Sequence, residues 1–461
     1  MNTRYSIVGL GKLGASMAAA IAGRGFDVIG VDVNQRSVEL LNGGHAPVQE
    51  TDLEAMIAAN RERLCATSSH LEAILSTDVT FVIVPTPSDE NGAFSLRYAE
   101  SAFREIGRAL AEKSGYHLVV LTSTVLPGAT RYGLLPILEL ESGKRCGRDF
   151  GLCYSPEFIA LGSVIRDFLN PDFNLVGEYD ERAGARLEQC YAEIMPNQPP
   201  CRRMSLENAE LTKIAVNTYV TTKISFANML ADLCERIPGG DIDVVSEALG
   251  SDRRIGRRYL TGGLGYGGPC FPRDNIALSY LARELGSRAA LAETTDCMNH
   301  ELAERMVERL RSRARSGATI AVLGLAYKPF SSVIEESQGI YLARALARAG
   351  AWVVGYDPLA NEPARAALGD EVAVLNSIRE CLTRADIVLI TTPDPAFRAM
   401  TAAEFAGHRN PVQVIDCWRI LDKELAGRAG IRYVPVGRSI EDGANAMRLA
   451  ELWGAPSLAA D

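Results

Sequence analysis

Short apolar runs and helical patterns alternate through the first third of the chain. Four runs rich in Val and Ile, each of a length typical of a buried strand, lie at 5–10, 27–31, 80–84 and 117–122. Amphipathic helical patterns separate most of them, for example at 14–24 and 96–112. This alternation predicts βαβ units and a doubly wound, parallel sheet.

The pattern changes near residue 200. Apolar positions at helical spacing continue almost without breakers over 206–236, and further helical patterns follow at 242–249, 276–285 and 290–315. Strand runs return at 319–325, 352–356, 386–391 and 412–416, separated by helical stretches such as 338–349. We therefore predict an α/β protein with two Rossmann-like doubly wound domains, 1–200 and 317–461, joined by an all-helical region, 201–316, with one long helix.

Composition and charge exclude several classes of protein. The chain has 461 residues, of which 47% are hydrophobic and 23% charged, as in ordinary globular proteins. Its net charge of -9 and the lack of a long single-sign run argue against nucleic acid as a partner. No apolar run reaches the roughly 18 residues of a membrane helix, and the first residues lead directly into a strand pattern. We expect a cytoplasmic protein that does not bind membranes.

The ten cysteines are scattered along the chain. They form no C-x-x-C pair, and no histidine stands at zinc spacing, so we expect neither a metal site nor a disulfide framework. The default interpretation of each cysteine is a small, buried hydrophobic residue.

A glycine-rich turn follows the first predicted strand. Gly9, Gly11 and Gly14, with Leu13 between them, form a G-x-G-x-x-G turn that opens a helix. These glycines allow a tight turn, close approach of a pyrophosphate, and close packing of helix on strand. Asp32 ends the next strand, where a carboxylate accepts hydrogen bonds from ribose hydroxyls and repels a 2′-phosphate. The pattern predicts an NAD site.

Two later strands of the same domain end in polar turns. Pro85 and Thr86 follow one of them, and Thr124 follows the next. Open α/β sheets bind ligands at this carboxyl edge, so these residues are candidate cofactor contacts, although alone they indicate only turns. The C-terminal domain has GLAYKP in place of GLGKLG. It lacks the pyrophosphate turn, and we expect it to hold a different ligand.

A loop with five glycines in seven residues, 262–268, precedes Cys270. Such a loop can place its backbone against a substrate. Arg273 and Asp274 follow closely, and a nearby cation favours the thiolate, which is the nucleophilic form of cysteine. An inert, buried thiol is the alternative.

Polar residues of the long helix and one loop complete the candidates. Lys213, Asn217 and Glu210 are spaced to share one helix face, from which Lys and Asn could donate hydrogen bonds to an oxyanion. A solvated lysine is the commoner case. Glu157 follows a strand and precedes a turn, where it could act as a general base or simply start a helix.

These motifs, in this order, resemble the nucleotide-sugar 6-dehydrogenase family, the UDP-glucose and GDP-mannose dehydrogenases. The resemblance covers essentially the whole chain and rests on GLGKLG, PTP, STV, SPEF, ELTKIAVNTYVTTKISFAN, RRIG, GYGGPCFPRDN, GLAYKP and YDP. It implies an NAD-binding N-terminal domain and a helical centre that forms a homodimer or a higher oligomer. It also implies a C-terminal domain that binds a nucleotide sugar.

The resemblance also implies roles for individual residues. Cys270 matches the nucleophile, Lys213 and Asn217 the oxyanion and water network, and Asp274 the acid four residues after the cysteine. Glu157 matches the base that assists hydrolysis, and Thr124 a hydroxyl that orients water. The implied substrate contacts are Glu157, Phe158, Lys213, Asn217, Arg254, Tyr259, Gly267 and Arg419.

The implied reaction is a four-electron oxidation of the C6 hydroxymethyl group of a nucleotide-diphosphate hexose, with UDP-glucose to UDP-glucuronate as the leading case. NAD oxidises the alcohol, Cys270 captures the aldehyde as a thiohemiacetal, and a second NAD leaves a thioester that water hydrolyses. Covalent capture keeps the aldehyde in place between the two cofactor exchanges.

Two departures from the family pattern leave alternatives open. Leu161 stands where relatives carry a second acid, and residues 332–337 (SVIEES) replace an Asp-Asp-x-Arg-Glu-Ser stretch, with Glu335 in place of the Arg. UDP-N-acetylhexosamine and GDP-mannose are therefore alternative substrates. A two-electron hydroxyacid dehydrogenase and a non-catalytic regulator that binds NAD or nucleotide sugar are the remaining hypotheses.

Overall fold

A computed structural model describes residues 3–315, 317–405, 412–421, 427, 430–439 and 443–454. The chain divides into two compact units, Met1–Val216 and Asn217–Asp461. The helical region from Asn217 onwards and the second sheet belong to the same unit. The division into three domains at residues 200 and 316 stays a prediction.

The first unit contains a sheet that is parallel except between two of its strands. Its strands are β1 (Tyr5–Val8), β2 (Val28–Val31), β3 (Leu64–Thr67), β4 (Val79–Val82), β5 (Leu118–Leu121), β6 (Gly151–Tyr154), β7 (Asn174–Glu178) and β8 (Cys201–Ser205). Their order is β3-β2-β1-β4-β5-β6-β7-β8, and only β6 and β7 pair antiparallel. The sheet is doubly wound, because the strand order reverses between β1 and β4: β2 and β3 lie on one side of β1, and β4 and the later strands lie on the other. At this point Tyr5 of β1 pairs with Val79 of β4.

Helices cover both faces of this sheet. They are α1 (Lys12–Gly23), α2 (Gln35–Asn42), α3 (Leu53–Ala59), α4 (His70–Ser76), α5 (Arg97–Glu112), a π-helical turn (Ala129–Leu134), α6 (Leu135–Ser142), α7 (Val164–Leu169) and α8 (Glu181–Ile194). The central strands read as continuous apolar runs because both faces are buried. One hydrophobic cluster lies on each face.

The second unit combines long helices with a parallel sheet. The long helix α9 (Leu206–Arg236) contains the division between the units, and α10 (Ile242–Ser251), α11 (Phe271–Glu284) and α12 (Ala290–Arg313) follow it. The strands are β9 (Thr319–Leu323), β10 (Trp352–Tyr356), β11 (Ala373–Val374), β12 (Ile387–Ile390), β13 (Val412–Asp416) and β14 (Ile431–Pro435). The accompanying helices are α13 (Gln338–Arg348), α14 (Asn361–Leu368), α15 (Ile378–Arg384), α16 (Pro395–Arg398) and α17 (Gly443–Leu452), with 3-10 turns at Gly369–Glu371 and Ala402–Phe405.

The second sheet repeats the winding of the first. Its order is β11-β10-β9-β12-β13-β14, with every pair parallel, so β9 takes the place of β1. The predicted fold class, with two Rossmann-like sheets and a helical region between them in sequence, is confirmed. No helix in the described part of the chain is long and apolar enough to cross a membrane.

In both sheets, a glycine of the following helix packs closely against a glycine at the end of the first strand. A Cβ on Gly14 would lie 1.8 Å from the Gly9 carbonyl oxygen, and one on Gly339 would lie 2.0 Å from that of Gly324. Helix α13 thus packs on its strand as closely as α1 does. Between Gly324 and Gly339, however, a longer segment replaces the short glycine turn, which agrees with the prediction that the second sheet lacks the pyrophosphate turn.

The predicted boundary after residue 200 separates strand β8 from the sheet to which it belongs. Strand β8 pairs with β7 and belongs to the first sheet, whereas the sequence pattern assigns residues 201–205 to the helical region. The sequence CRRMS shows no apolar run because β8 is an edge strand whose residues are only half-buried or exposed.

Candidate active site

The glycine turn after β1 fits a dinucleotide. Gly9 has a φ of +99°, and a Cβ there would lie 2.1 Å from the Ile83 carbonyl oxygen, while Gly14 packs α1 against the turn. A Cβ on Gly11 would meet no atom within 4 Å. Gly9 and Gly14 are therefore required for packing, and Gly11 leaves open space at the N-terminus of α1 where a pyrophosphate can approach. The side chain of Leu13 packs on the core, so any cofactor contact there would use its backbone.

Asp32 is held in place by the turn that it is predicted to serve. Its Oδ2 accepts a hydrogen bond from the Leu10 N–H at 2.7 Å, and its Oδ1 accepts one from the Asn34 N–H at 2.8 Å. A carboxylate has further lone pairs, so these bonds orient it without using its capacity to accept from ribose hydroxyls. A cleft of about 710 Å³ opens beside the start of α2 and is lined in part by Asn34 and Arg36.

The ends of β4 and β5 are joined by side-chain hydrogen bonds. The Thr86 hydroxyl donates to the Thr124 carbonyl oxygen at 2.7 Å, and the Ser123 hydroxyl exchanges hydrogen bonds with the backbone of Val84. Pro85, between them, is exposed. The structure thus brings the predicted contacts Pro85, Thr86 and Thr124 together at the carboxyl edge of the sheet.

Lys213 is packed against the SPEF segment. Its side chain is only 8% exposed, and its Nζ donates to the Glu157 carbonyl oxygen at 2.6 Å. The ammonium group also lies 4.4 Å from the centre of the Phe158 ring, and that ring contacts Phe173. Lys213 is therefore a buried lysine fixed by hydrogen bonding and a cation–π contact, not a solvated one.

Glu157 is set to titrate near neutrality. Burial raises the pKa of its carboxyl group to about 7 by disfavouring the charged form, while the charge of Lys213 opposes the rise. A general base is most effective when its pKa lies near the working pH. The carboxyl group therefore has the acidity that its predicted role in activating water requires.

Glu210 has a different task. Its carboxylate accepts hydrogen bonds from the Gly128 and Thr130 N–H groups at 2.6 and 2.8 Å. It thereby satisfies the backbone at the start of the π-helical turn. The sequence spacing predicts that Glu210 shares a helix face with Lys213. In the structure its carboxylate oxygens bind the backbone N–H groups of the π-helical turn.

In the second unit, Cys270 stands at the N-terminus of α11. It is exposed, and its carbonyl oxygen accepts from the Asp274 N–H at 2.9 Å, which closes the first helical turn. The partial positive charge of a helix N-terminus favours a thiolate. Asp274 is 1% exposed, and its Oδ2 accepts from the Asn217 Nδ2 at 2.6 Å. The structure therefore joins Asn217 to Asp274, which lies in the first turn of the helix that Cys270 begins.

The five glycines before Cys270 are explained by packing inside the protein. The sequence predicts a loop whose backbone can lie against a substrate, and the structure shows in addition that the Cβ direction of each of these glycines points at protein atoms. An added Cβ would lie 2.7 Å from Ile242 at Gly262, 2.7 Å from the Cys417 oxygen at Gly263, 2.2 Å from Asn299 at Gly265, 2.1 Å from the Glu336 oxygen at Gly267 and 2.5 Å from the Tyr327 ring at Gly268. Any substrate contact of Gly267 would therefore use its backbone and stays a prediction.

We expect Gly267→Ala to destabilise the protein by about 1–3 kcal/mol, because the new methyl group forces the loop away from the Glu336 carbonyl. Denaturant unfolding measures this change. Gly115→Ala is the matched control, since a Cβ there meets nothing within 4 Å and the residue does not adopt positive φ. Equal stability of the two variants would contradict the packing explanation.

The remaining predicted substrate contacts differ in their surroundings. The Arg254 side chain is 88% exposed and pairs with Asp252. The ring of Tyr259, a residue with a φ of +68°, lies 6.5 Å from that of Phe271, the residue after Cys270.

Arg419, in contrast, is 1% exposed. It forms a two-pronged ion pair with Asp243 and donates to the carbonyl oxygens of Thr261 and Gly262. Its guanidinium group thus serves contacts within the second unit, and its substrate contact stays a prediction.

Sequence reasoning missed two asparagines that bind the glycine loop, Asn228 of α9 and Asn299 of α12. Both are buried. The available signal was a polar amide at a core-facing position of a helix, which indicates a hydrogen-bond partner from elsewhere in the chain.

A doubly wound sheet with a dinucleotide turn, an acidic residue on the next strand and an exposed thiol at a helix N-terminus together define an NAD-dependent oxidoreductase. Family models match in three parts: the NAD binding domain of the UDP-glucose/GDP-mannose dehydrogenase family over residues 3–195, its central domain over 207–301 and its UDP binding domain over 321–423. The chain belongs to the UDP-glucose/GDP-mannose dehydrogenase family, and NAD is its cofactor.

Individual relatives agree over nearly the full chain. A UDP-glucose 6-dehydrogenase, AglM, of Haloferax volcanii is 38% identical over 93% of this chain and 98% of its own. A GDP-mannose 6-dehydrogenase of Pseudomonas putida is 33% identical over 92% of this chain and 98% of its own. The solved structure of a UDP-glucose dehydrogenase from Pyrobaculum islandicum matches with a TM-score of 0.85 and 35% identity, covering 95% of this chain and 98% of that one.

Proposed function

We propose that this protein oxidises the C6 hydroxymethyl group of a nucleotide-diphosphate hexose to a carboxylate in two NAD-dependent steps, with UDP-glucose as the leading substrate. The observation that carries the proposal is the exposed Cys270 at the N-terminus of α11, whose first turn contains the Asp274 that is hydrogen-bonded to Asn217. A two-electron alcohol oxidation has no need of a nucleophilic thiol, whereas an alcohol-to-acid oxidation needs to retain the aldehyde.

Cys270 forms the covalent intermediates in this proposal. Its thiolate adds to the C6 aldehyde, and the carbonyl oxygen takes up a proton to give a thiohemiacetal. Oxidation of that adduct gives a thioester, and water then cleaves the carbon–sulfur bond to release the acid and the thiol. NAD, when bound, accepts the two electrons released in each oxidation.

The other residues hold protons and charge. The buried Asp274, with Asn217 donating to it, accepts the proton that leaves the C6 hydroxyl. The fixed Lys213 ammonium stabilises negative charge on the C6 oxygen. Glu157, whose pKa is raised to about 7, takes the proton of the water that attacks the thioester.

The choice of UDP-glucose rests on the relative with 38% identity, and GDP-mannose is the principal alternative. One departure from the family pattern, Glu335, lies in a segment that contacts the loop before Cys270. The Glu335 carbonyl oxygen accepts from the Gly268 N–H at 3.1 Å, so the segment with the reversed charge is bonded to the loop that leads to Cys270. A change of substrate within the nucleotide hexoses would have its cause here.

The test is NADH release against UDP-glucose, UDP-galactose, UDP-N-acetylglucosamine, UDP-N-acetylmannosamine and GDP-mannose, each at limiting concentration. We expect two NADH per sugar for one substrate, with UDP-glucose the fastest. One NADH per sugar would indicate a two-electron dehydrogenase. Binding without NADH release from any of the five would indicate a non-catalytic binding protein.

We also propose a homodimer formed through α9. Tyr219, Phe226 and Leu233 recur every seven residues and are each about half-exposed, which is the spacing of a seam between helices. We expect a dimer in light scattering and a shift to monomer in Phe226→Glu. Leu140→Glu, at an exposed apolar position of α6, is the control. A monomeric parent protein, or an equal response of both variants, would reject this interface.

A further inference from the structure

The glycine loop before Cys270 is held by amide side chains from two helices. We infer that Asn228 and Asn299 are positioning residues that fix the place of the Cys270 thiol, an inference that rests on the proposed function of that thiol. Their hydrogen bonds are to the backbone of the loop, not to the cysteine. Both act on the backbone four to seven residues before it.

Asn228 of α9 is hydrogen-bonded to the start of the loop. Its Oδ1 accepts from the Gly263 N–H at 2.8 Å, and its Nδ2 donates to the Leu264 carbonyl oxygen at 3.1 Å. The side chain is 7% exposed. Both polar groups of the amide are therefore bonded to the loop at a site with little exposure to solvent.

Asn299 of α12 makes the corresponding contact three residues further along. Its Oδ1 accepts from the Tyr266 N–H at 2.8 Å, and its Nδ2 donates to the Tyr266 carbonyl oxygen at 3.1 Å. It is 6% exposed. The Gln338 side chain at the start of α13 donates to the same carbonyl oxygen at 3.2 Å.

The Tyr266 side chain extends this hydrogen-bond network to residues that follow the cysteine in the chain. Asn275, in the first turns of α11, is fully buried and donates to the Tyr266 hydroxyl at 2.9 Å. Tyr266 is thus bound by its backbone to α12 and by its ring to the helix that Cys270 begins. The thiol lies between these two fixed points in the chain.

This arrangement has a physical reason. The loop forms no strand or helix, so its buried N–H and C=O groups need partners from side chains. A short, planar amide offers an acceptor oxygen and a donor NH2 group at a fixed separation, which suits neighbouring peptide groups. Because a misplacement of about 1 Å can cost roughly 100-fold in rate, a loop held in this way defines where the nucleophile meets the sugar carbon.

The test uses Asn228→Leu and Asn299→Leu, which keep the size of the side chain and remove both hydrogen-bonding groups. We expect kcat to fall about 10- to 100-fold, with little change in KM for NAD. We also expect the alkylation rate of Cys270 by iodoacetamide, followed by mass spectrometry of the folded protein without substrate, to change at least threefold. Asn228→Asp and Asn299→Asp keep the acceptor and lose the donor. Their kcat values and Cys270 alkylation rates should lie between those of the parent and those of the Leu variants.

Asn42→Leu is the matched control. Asn42 of α2 makes the same pair of bonds, to the N–H and C=O of Ala66 in the first unit, so its loss should lower the unfolding midpoint without altering Cys270 alkylation. The inference is overturned if the loop variants show parental kcat and alkylation, or if Asn42→Leu changes both equally. Where a Leu variant does not fold, the Asp variant decides by the same two measurements. Alkylation needs no turnover, so failure of the proposed function would appear separately, as a parent protein inactive on every nucleotide sugar.

Discussion

Replacing Cys270 by alanine is expected to reduce formation of the sugar acid by at least roughly 10⁴-fold, because no other group in the proposal can carry the acyl intermediate. The variant should still bind NAD and nucleotide sugar, since the thiol lies at an exposed helix start and its removal leaves no buried cavity. Acid production measured by chromatography, with calorimetry for binding, checks both expectations.

Cys297→Ala provides the control for this change. Cys297 is also exposed and lies on α12 within the same unit. We expect it to retain parental turnover. Acid formation by Cys270→Ala at more than about one tenth of the parental rate would show that the thiol is not the nucleophile.

Glu157→Gln is expected to slow thioester hydrolysis by roughly 10²- to 10⁴-fold, because the amide cannot accept the proton of the attacking water. In the parent protein, single-turnover hydrolysis should rise with pH through about 7, as the carboxyl group whose pKa is raised by burial becomes ionised. The Gln variant should lack this step. A parental pH profile that is flat between pH 5.5 and 8.5 would remove Glu157 from the role of base.

The same pKa gives a stability expectation with a definite sign. A carboxyl group with a pKa of about 7 in the folded protein and 4.5 in the unfolded chain favours folding below pH 4.5, and this contribution is lost as the pH rises through 7. The free energy of unfolding of the parent should therefore fall relative to Glu157→Gln across that window. Glu362→Gln, at a position 90% exposed, should show no such difference.

Several strands buried on both faces, such as β5, follow from the sequence, whereas β7, which is equally buried, is missed because its apolar run is only Leu175–Val176. Strand β10 and helix α9 have the predicted ends, because a continuous apolar run and an uninterrupted 3.6-residue period are strong local signals. Strand β8 escapes this reasoning since it lies at the edge of the sheet and carries polar side chains. Its place depends on pairing with β7, which no local pattern encodes.

Residues of the candidate site are likewise recognisable from the sequence only where the signal is local. Cys270 is recognisable because its glycine loop and the following helix start are contiguous in sequence. Asn228 and Asn299 are not, since their partners lie 33 to 36 residues away along the chain and only folding joins them. The raised pKa of Glu157 is also beyond sequence reasoning, because it arises from burial in the folded unit.

The most direct test of the central claim is to mix Glu157→Gln with NAD and UDP-glucose, stop the reaction with acid and analyse the peptide that contains Cys270 by mass spectrometry. Slow hydrolysis in this variant should allow the acyl adduct to accumulate. We expect Cys270 to carry the additional mass of the nucleotide-sugar acyl group, which hydroxylamine removes. An unmodified Cys270 together with release of the sugar as an aldehyde would contradict the central claim.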